Sequence, residues 1–186
     1  MDHIQADPGL LRALTHPLRG ALLYELHARG RANATALAEA VDAPVNSVSF
    51  HLRQLARFGL IEEAEGGGDG RQRWWRPASR GGIEVDDAVV EAQPDGTAAL
   101  EVFHRNAAAV WARMADRFFA VHADDAVRRS NDVPLLLTAQ EAERLADEVA
   151  ELVVRWLTRS QSHADDPAAQ AQRRTYLLLT MLQPRD

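Results

Sequence analysis

The sequence predicts a mainly helical chain with a small amount of β-structure, an α+β arrangement. Three observations lead to this prediction. Residues 35–57 carry apolar side chains at helical spacing on both sides of a tight turn. Five residues at 66–70, four of them glycine, separate two segments with strand-like patterns. Residues 97–128 carry a long apolar stripe of helical period.

Composition limits the class of protein. The chain has 186 residues and is 46% hydrophobic, enough for one large domain or two small ones. No apolar run approaches the roughly 20 residues of a membrane span, and the first residues show no secretion signal. A cytoplasmic protein is expected. There are no cysteines, which excludes disulfides and thiolate metal sites.

The first segment is predicted to be helical from Pro8 to about residue 28. Asp7 and Pro8 suit the N-cap and the first helical position. Pro17 lies inside the segment and removes a helical hydrogen bond, so the helix is expected to break or restart near His16.

Residues 35–57 are predicted to form two short helices joined by a tight turn at 42–44. The first buries Leu37, Ala38 and Val41, and the second buries Val48, Leu52 and Leu55. The second helix then faces outward with Val45, Asn46, Ser49, Phe50 and Arg53. Small polar side chains suit base edges in the DNA major groove, and an arginine suits phosphate or guanine. The alternative is a solvated helix hairpin in an ordinary helical domain.

A two-stranded ribbon is expected next, with strands at 60–65 and 71–76 and a flexible tip at 66–70. Pro77 is expected to stop the second strand. Arg71 and Arg73 lie at the far end of the ribbon. A ribbon with arginines after a helix-turn-helix is typical of a wing that follows the neighbouring minor groove or backbone. One of Trp74 and Trp75 is expected to pack on the helices. Taken alone, the glycine run is more typical of a floppy loop.

Three segments resemble the ArsR-type winged-helix repressors. Residues 13–19, ALTHPLR, resemble their A-L-x-x-P-x-R opening; residues 37–55 resemble their L-A-x-x-L-x-x-S-x-x-x-V-S-x-H-L-x-x-L; and residues 59–61, GLI, resemble the G-L-V that starts their wing. The resemblance covers about residues 8–77 and implies a homodimeric transcription factor. It places the base-reading positions at Val45, Asn46, Ser47, Ser49, Phe50 and Arg53. Pro44 replaces the usual serine cap, and Phe50 replaces a common histidine and could touch a thymine methyl.

The expected function is therefore sequence-specific binding of double-stranded DNA by a homodimeric regulator, a repressor, at a pseudo-palindromic operator. The net charge of −6 argues against a strongly basic binder. Residues 1–77 hold nine arginines and nine acids, so residues 78–186 carry the whole excess. Modest non-specific affinity and a shallow salt dependence follow. The near-neutral first half also leaves open a winged helix used for protein contacts, without a specific DNA site.

Domain boundaries are expected at 1–78 for the DNA-binding domain, 79–96 for a linker and 97–186 for a dimerisation domain. A helix is predicted at 97–128. Its stripe is expected to pack on a partner chain, the alternative being its own chain. The predicted dimerisation residues are Leu100, Phe103, Val110, Met114 and Phe118.

The last part of the chain is predicted to be a strand, a helix and a strand. The strands are placed at 133–137 and 175–182 and could share one sheet, even across a dimer. Thr138 and Glu141 form a capping-box pattern that starts a helix to about residue 158.

No enzyme motif is found, and no cofactor or metal ligand is assigned. A metal-responsive member of the same family is the remaining alternative. His122 with Asp125 is its one weak candidate, and a solvent-facing histidine is the preferred interpretation. An unidentified effector could enter beside Trp111, Met114, Phe118 and Trp156, although aromatic residues on a helix stripe are more often core.

Overall fold

The computed structural model describes residues 3–65, 72–79, 81–120, 127–130, 133–164 and 166–184. Within these ranges it confirms a mainly helical chain with small sheets. The elements are β1 (Ile4–Gln5), α1 (Pro8–Leu14), α2 (Pro17–Arg29), β2 (Ala32–Asn33), α3 (Ala34–Val41), α4 (Val45–Arg57), β3 (Ile61–Ala64), β4 (Trp74–Pro77), β5 (Ile83–Glu84), α5 (Asp87–Glu91), α6 (Gly96–Ala120), α7 (Ala139–Gln161) and α8 (Pro167–Ala171). No helix in the described ranges is long and apolar enough to cross a membrane.

The first predicted helix is broken in two, as the proline at position 17 indicated. The Asp7 carboxylate accepts a hydrogen bond from the Leu10 N–H at 2.7 Å and caps α1. Helix α2 begins at Pro17, and the Nδ1 atom of His16 accepts from the Leu18 N–H at 3.2 Å. Each helix therefore starts with a side-chain cap followed by proline, which has no N–H to satisfy.

Helices α3 and α4 form the predicted pair. The Asn33 side chain accepts from the Ala36 N–H at 2.9 Å and caps α3. Asp42 adopts a left-handed conformation (φ 50°) and ends it. Pro44 is the N-cap of α4 and supplies no side-chain hydrogen bond. Gly59 adopts a positive φ of 68° and follows the end of α4, as is common for a glycine after a helix.

The predicted ribbon belongs to a three-stranded antiparallel sheet in the order β2-β4-β3. The third strand, β2, was not predicted; it pairs Ala32 with Trp75. The prediction that the second strand covers residues 71–76 was wrong at its start, because β4 begins at Trp74. Pro77 is the last residue of β4 and pairs with Ile61. A proline is tolerated there because its missing N–H falls at the strand terminus.

Within residues 79–96, predicted to be a linker, strand β5 and helix α5 pack onto the preceding residues. Strand β5 pairs in parallel with β1, a contact that no local pattern indicated. Val90 of α5 is fully buried. The chain therefore continues its core through this stretch, while the division into domains stays a prediction.

The core lies between α1–α4, the three-stranded sheet, α5 and the start of α6. Trp75 is 6% exposed and is the tryptophan that packs on the helices, as predicted. The largest fully buried side chains are Leu11, Leu22, Leu26, Leu37, Leu52, Leu55, Leu60, Ile61, Val48 and Val90.

The long helix is shorter than predicted. Helix α6 ends at Ala120, and residues 127–130 are not helical, so the expected end at residue 128 was wrong. The guanidinium of Arg128 lies 4.7 Å from the centre of the Phe118 ring. In one continuous helix these residues would be about 15 Å apart along the axis. Arg128 therefore does not lie on a straight continuation of α6; residues 121–126 lie outside the described ranges.

The predicted strand-helix-strand unit has its helix but neither of its two strands. The capping box of Thr138 and Glu141 is present and starts α7, which runs to Gln161 rather than to residue 158. Residues 133–137 and 175–182 form no strand, so both strand predictions were wrong. A strand needs a hydrogen-bonding neighbour, and neither segment has one within the described part of this chain. Apolar composition alone could not reveal this.

Candidate nucleic-acid interface

Helix α4 presents the face that its spacing predicts. Val48, Leu52 and Leu55 are completely buried against the core. The opposite face is open to solvent at Asn46 and Arg53, and Phe50 is 50% exposed. The predicted interface residues on this helix are exposed (Val45, Asn46, Phe50, Arg53) or half-buried (Ser47, Ser49). The structure thus places all six at positions on one helix that solvent can reach.

A cluster of rings supports α4 from behind. The His51 ring lies 4.2 Å from the ring of His16, centre to centre, and meets Phe50 edge-on at 5.2 Å. Burial lowers the pKa of His51, with smaller contributions from the nearby His16 and Arg19. Burial also lowers the pKa of Arg19. The His51 ring therefore links Phe50, on the accessible face, to His16, the N-cap of α2.

The wing strands β3 and β4 are joined by ion pairs as well as by the backbone. The Arg73 Nε atom lies 3.0 Å from a Glu63 carboxylate oxygen, and an Arg76 nitrogen lies 2.7 Å from Glu62. Arg73 is exposed and stands immediately before β4. Arg71 and the tip at 66–70 lie outside the described residues. Of the two wing arginines predicted, the structure therefore places Arg73 alone.

A cleft of about 490 Å³ opens where α3, α4 and the wing meet. Its polar lining is Asn33, Thr35, Ser49, Arg53, Gln72 and Arg73. Trp75 also lines it. The Asn33 side chain donates a hydrogen bond to the side-chain oxygen Oε1 of Gln72 at 2.7 Å and ties α3 to the wing. Sequence reasoning missed Asn33, Thr35 and Gln72, because only the unpredicted pairing of β2 with β4 brings them together.

The predicted dimerisation residues divide into two groups. Leu100 is 3% exposed and belongs to the core of its own chain, so its assignment to the dimer interface is corrected. Phe103 packs against the same core while half-buried. Val110, Met114 and Phe118 are half-exposed farther along α6. Their stripe is continued by exposed Trp111, at 40%.

Metal and effector candidates find little support in the described ranges. No group of three or more histidine, aspartate or glutamate side chains there could hold a metal ion. His122 and Asp125 lie outside those ranges. Trp156 is 61% exposed and stacks with Arg159, so it is neither core nor pocket lining.

Comparison with known proteins identifies the first part of the chain. A family model described as a helix-turn-helix domain matches residues 14–64. No curated protein matches the chain. The match spans helices α2 to α4 and strand β3.

Several solved structures are similar to the chain at low identity. The YusO protein from Bacillus subtilis is 17% identical, over 78% of this chain and 82% of that one, with a TM-score of 0.35. The apo ZitR mutant from Lactococcus lactis is 15% identical, over 76% and 83%, with a TM-score of 0.32. The S. aureus MepR mutant bound to an oligodeoxyribonucleotide is 16% identical, over 75% and 78%, with a TM-score of 0.32. At these TM-scores the likeness carries no argument. Residues 14–64 therefore form a helix-turn-helix domain on the strength of the family match and their own fold, and β3 with β4 gives it a wing.

Proposed function

We propose that this protein is a cytoplasmic, sequence-specific DNA-binding regulator of the ArsR-like type, acting as a homodimeric repressor. The accessible face of α4 is the main support for this proposal. It is polar and hydrogen-bonding around Asn46, Ser49 and Arg53, while the opposite face is anchored by fully buried side chains. A helix held this firmly can enter the major groove without losing its own packing.

The wing extends the contact beyond the recognition helix. Arg73 is exposed beside the cleft that separates the wing from α4. With α4 in the major groove, this arginine would meet the neighbouring backbone or minor groove, and Arg71 is proposed for the same role. Such contacts supply affinity and register rather than sequence information.

A homodimer is proposed because α6 and α7 leave apolar surface uncovered. No residue of the 23-residue α7 is buried. Val110, Met114 and Phe118 form the accessible stripe of α6. A second copy packed on this stripe would place two recognition helices on one DNA face. The half-sites should then lie about one helical turn apart.

The test is a fluorescence anisotropy titration on the DNA upstream of the protein's own gene. Excess unrelated competitor and two salt concentrations are included. Tight binding that survives competitor, with two chains per site, would support a dimeric regulator. Weak binding that competitor and salt both abolish would contradict it and favour a protein-contact module, which the zero net charge of residues 1–77 makes the second candidate. Metal analysis of the purified protein tests the metal-responsive alternative.

A further inference from the structure

The cleft between α3, α4 and the wing has the chemistry of an oxyanion site. Its lining includes two guanidinium groups, those of Arg53 and Arg73, and no carboxylate. Arg73 already pairs with Glu63 at 3.0 Å. Arg53 is exposed and forms no ion pair with another described residue. One full positive charge is therefore left to attract an anion into the cleft.

The neutral lining residues include groups that can donate hydrogen bonds. The side-chain oxygen Oε1 of Gln72 accepts a hydrogen bond from the Asn33 side chain at 2.7 Å, so the Gln72 NH₂ group can donate elsewhere. The Thr35 hydroxyl, in the first turn of α3, lines the same space. A hydroxyl, an amide and a guanidinium among the residues that line one cleft suit an oxygen-rich anion.

Internal contacts hold the walls of the cleft in place, which favours binding of an anion without rearrangement of the walls. Asn33 caps α3 through its oxygen and holds Gln72 through its nitrogen, so one side chain fixes two walls. Trp75, 6% exposed, lines the cleft from the packed side of β4. A volume of about 490 Å³ accommodates a group of nucleotide size. Pre-organised donors lower the ordering cost of binding.

The position of Arg53 along α4 favours a contact with a DNA phosphate over a contact with a base edge. A recognition helix contacts base edges mainly with its N-terminal residues. Arg53 lies eight residues after the first residue of α4, Val45, about 12 Å farther along the axis. Its side chain lines the cleft beside the wing.

We infer that this cleft holds one backbone phosphate of the bound DNA, contacted by Thr35, Arg53 and Gln72. The inference rests on the proposed DNA-binding function and deepens it. It makes Arg53 a residue that positions the protein on the duplex, and it adds Thr35 and Gln72 to the interface. Sequence discrimination is left to the first two turns of α4.

The experiment measures affinity for the upstream DNA and for an unrelated duplex across a salt series. In Arg53→Gln, both affinities should fall by about the same factor, roughly tenfold, because a phosphate contact carries no sequence information. The slope of log affinity against log salt should shrink by about 0.9, the value for one phosphate contact. Arg57→Gln is the matched control: it removes the same charge from an exposed position on α4 outside the cleft lining. Its slope should be unchanged.

A second pair of variants tests the hydroxyl. Thr35→Val removes it with little change in shape and should weaken binding to both duplexes about tenfold. Thr35→Ser keeps it and should bind like the unmodified protein. Circular dichroism confirms that each variant is folded.

Several results would overturn the inference. An Arg53→Gln protein that loses affinity for the upstream DNA alone, with an unchanged slope, would make Arg53 a base reader. Equal slope changes in Arg57→Gln would remove the special role of the cleft, and unchanged binding by Thr35→Val would remove the hydroxyl from the interface. If Arg53→Gln keeps full DNA affinity but loses binding of inorganic phosphate by calorimetry, the cleft serves a free phosphorylated ligand. Failure of the unmodified protein to bind either duplex would overturn the proposed function, and the inference with it.

Discussion

The residues up to Leu100, here the first half, and the residues after it, the second half, differ in how much of their apolar surface they bury by themselves. Every buried hydrophobic side chain of the described residues lies at or before Leu100. Beyond it, Phe119 is 72% exposed, Leu178 68% and Leu136 103%. The first half closes a core from α1–α5 and the sheet. The second half contains leucine and valine at a comparable density, and none of those that the structure describes is buried; apolar surface of this kind is typical of an interaction site.

Substitution of one leucine in each half should give the largest difference in unfolding free energy. Leu52 of α4 is completely buried, and Leu152 of α7 is 44% exposed. Leu52→Ala should lower the free energy of unfolding by about 2–5 kcal/mol, because a cavity is left in a packed core. Leu152→Ala should change it by less than about 0.5 kcal/mol in dilute solution. Urea unfolding followed by circular dichroism measures both.

The concentration dependence sharpens this contrast. A partner chain that covers α7 would make the cost of Leu152→Ala grow with protein concentration. Equal costs for the two variants in dilute solution would contradict the comparison, since Leu152 would then be buried within its own chain.

The junction between the halves depends on one glycine. A Cβ atom at Gly96 would overlap the carbonyl oxygen of Val90, at the turn where α5 meets α6. Gly96→Ala should therefore push α6 away and withdraw Leu100 from the core, at a cost of about 1–3 kcal/mol in unfolding free energy.

Gly20 provides the matched control for this substitution. It lies within α2, and a Cβ atom there meets nothing within 4 Å. Gly20→Ala should raise the unfolding free energy by about 0.5–1 kcal/mol, because alanine has the higher helix propensity. Similar changes in both variants would show that α6 can shift freely at the junction.

The accessible stripe of α6 provides the next test. Met114→Glu places a carboxylate where a partner chain is proposed to pack, and should weaken the dimer at least tenfold, about 1.4 kcal/mol. Ala112→Glu adds the same charge on the opposite side of the helix, where the side chain is also exposed. Sedimentation equilibrium should show dissociation in the first variant only. A dimer that survives Met114→Glu, or that both variants disrupt equally, would place the interface elsewhere.

Features that depend on residues close together in the sequence could be predicted, and contacts between residues far apart in the sequence could not. The α3–α4 pair, the break before Pro17 and the capping box of α7 depend on residues within one or two helical turns, so local spacing sufficed. The pairing of β2 with β4 joins residues 41 and 43 positions apart, and the Asn33–Gln72 bond joins residues 39 positions apart. A strand of two residues has no period to recognise, so half of the cleft was missed.

The two false strand predictions have the opposite origin. Residues 133–137 and 175–182 have the β-branched and leucine-rich composition of strands, but composition does not supply the neighbour that a strand requires. The same missing neighbour leaves Leu136 and Leu178 exposed. In both regions, the apolar side chains could be identified from the sequence, but the surface that covers them could not.

The smallest expected effect concerns pH and the ring cluster behind α4. Burial, followed by the charges of His16 and Arg19, holds the pKa of His51 below its ordinary value of 6.5. Above that pH, His51 is neutral in both states and its packing is fully stabilising. As the pH falls below 6.5 through the lower folded value, the unfolded chain takes up the proton first, and stability is lost. Between pH 8 and pH 5, the first half should therefore lose unfolding free energy.

His51→Gln isolates this contribution. It should lose less stability over the same pH interval, because no ring remains to protonate beside Arg19. His3→Gln, at an exposed position near the start of the chain, should keep the pH dependence of the unmodified protein. Urea unfolding at the two pH values measures all three proteins. If His51→Gln keeps the full pH dependence, the loss arises from other groups, and the ring cluster does not couple protonation to the helix that carries Phe50.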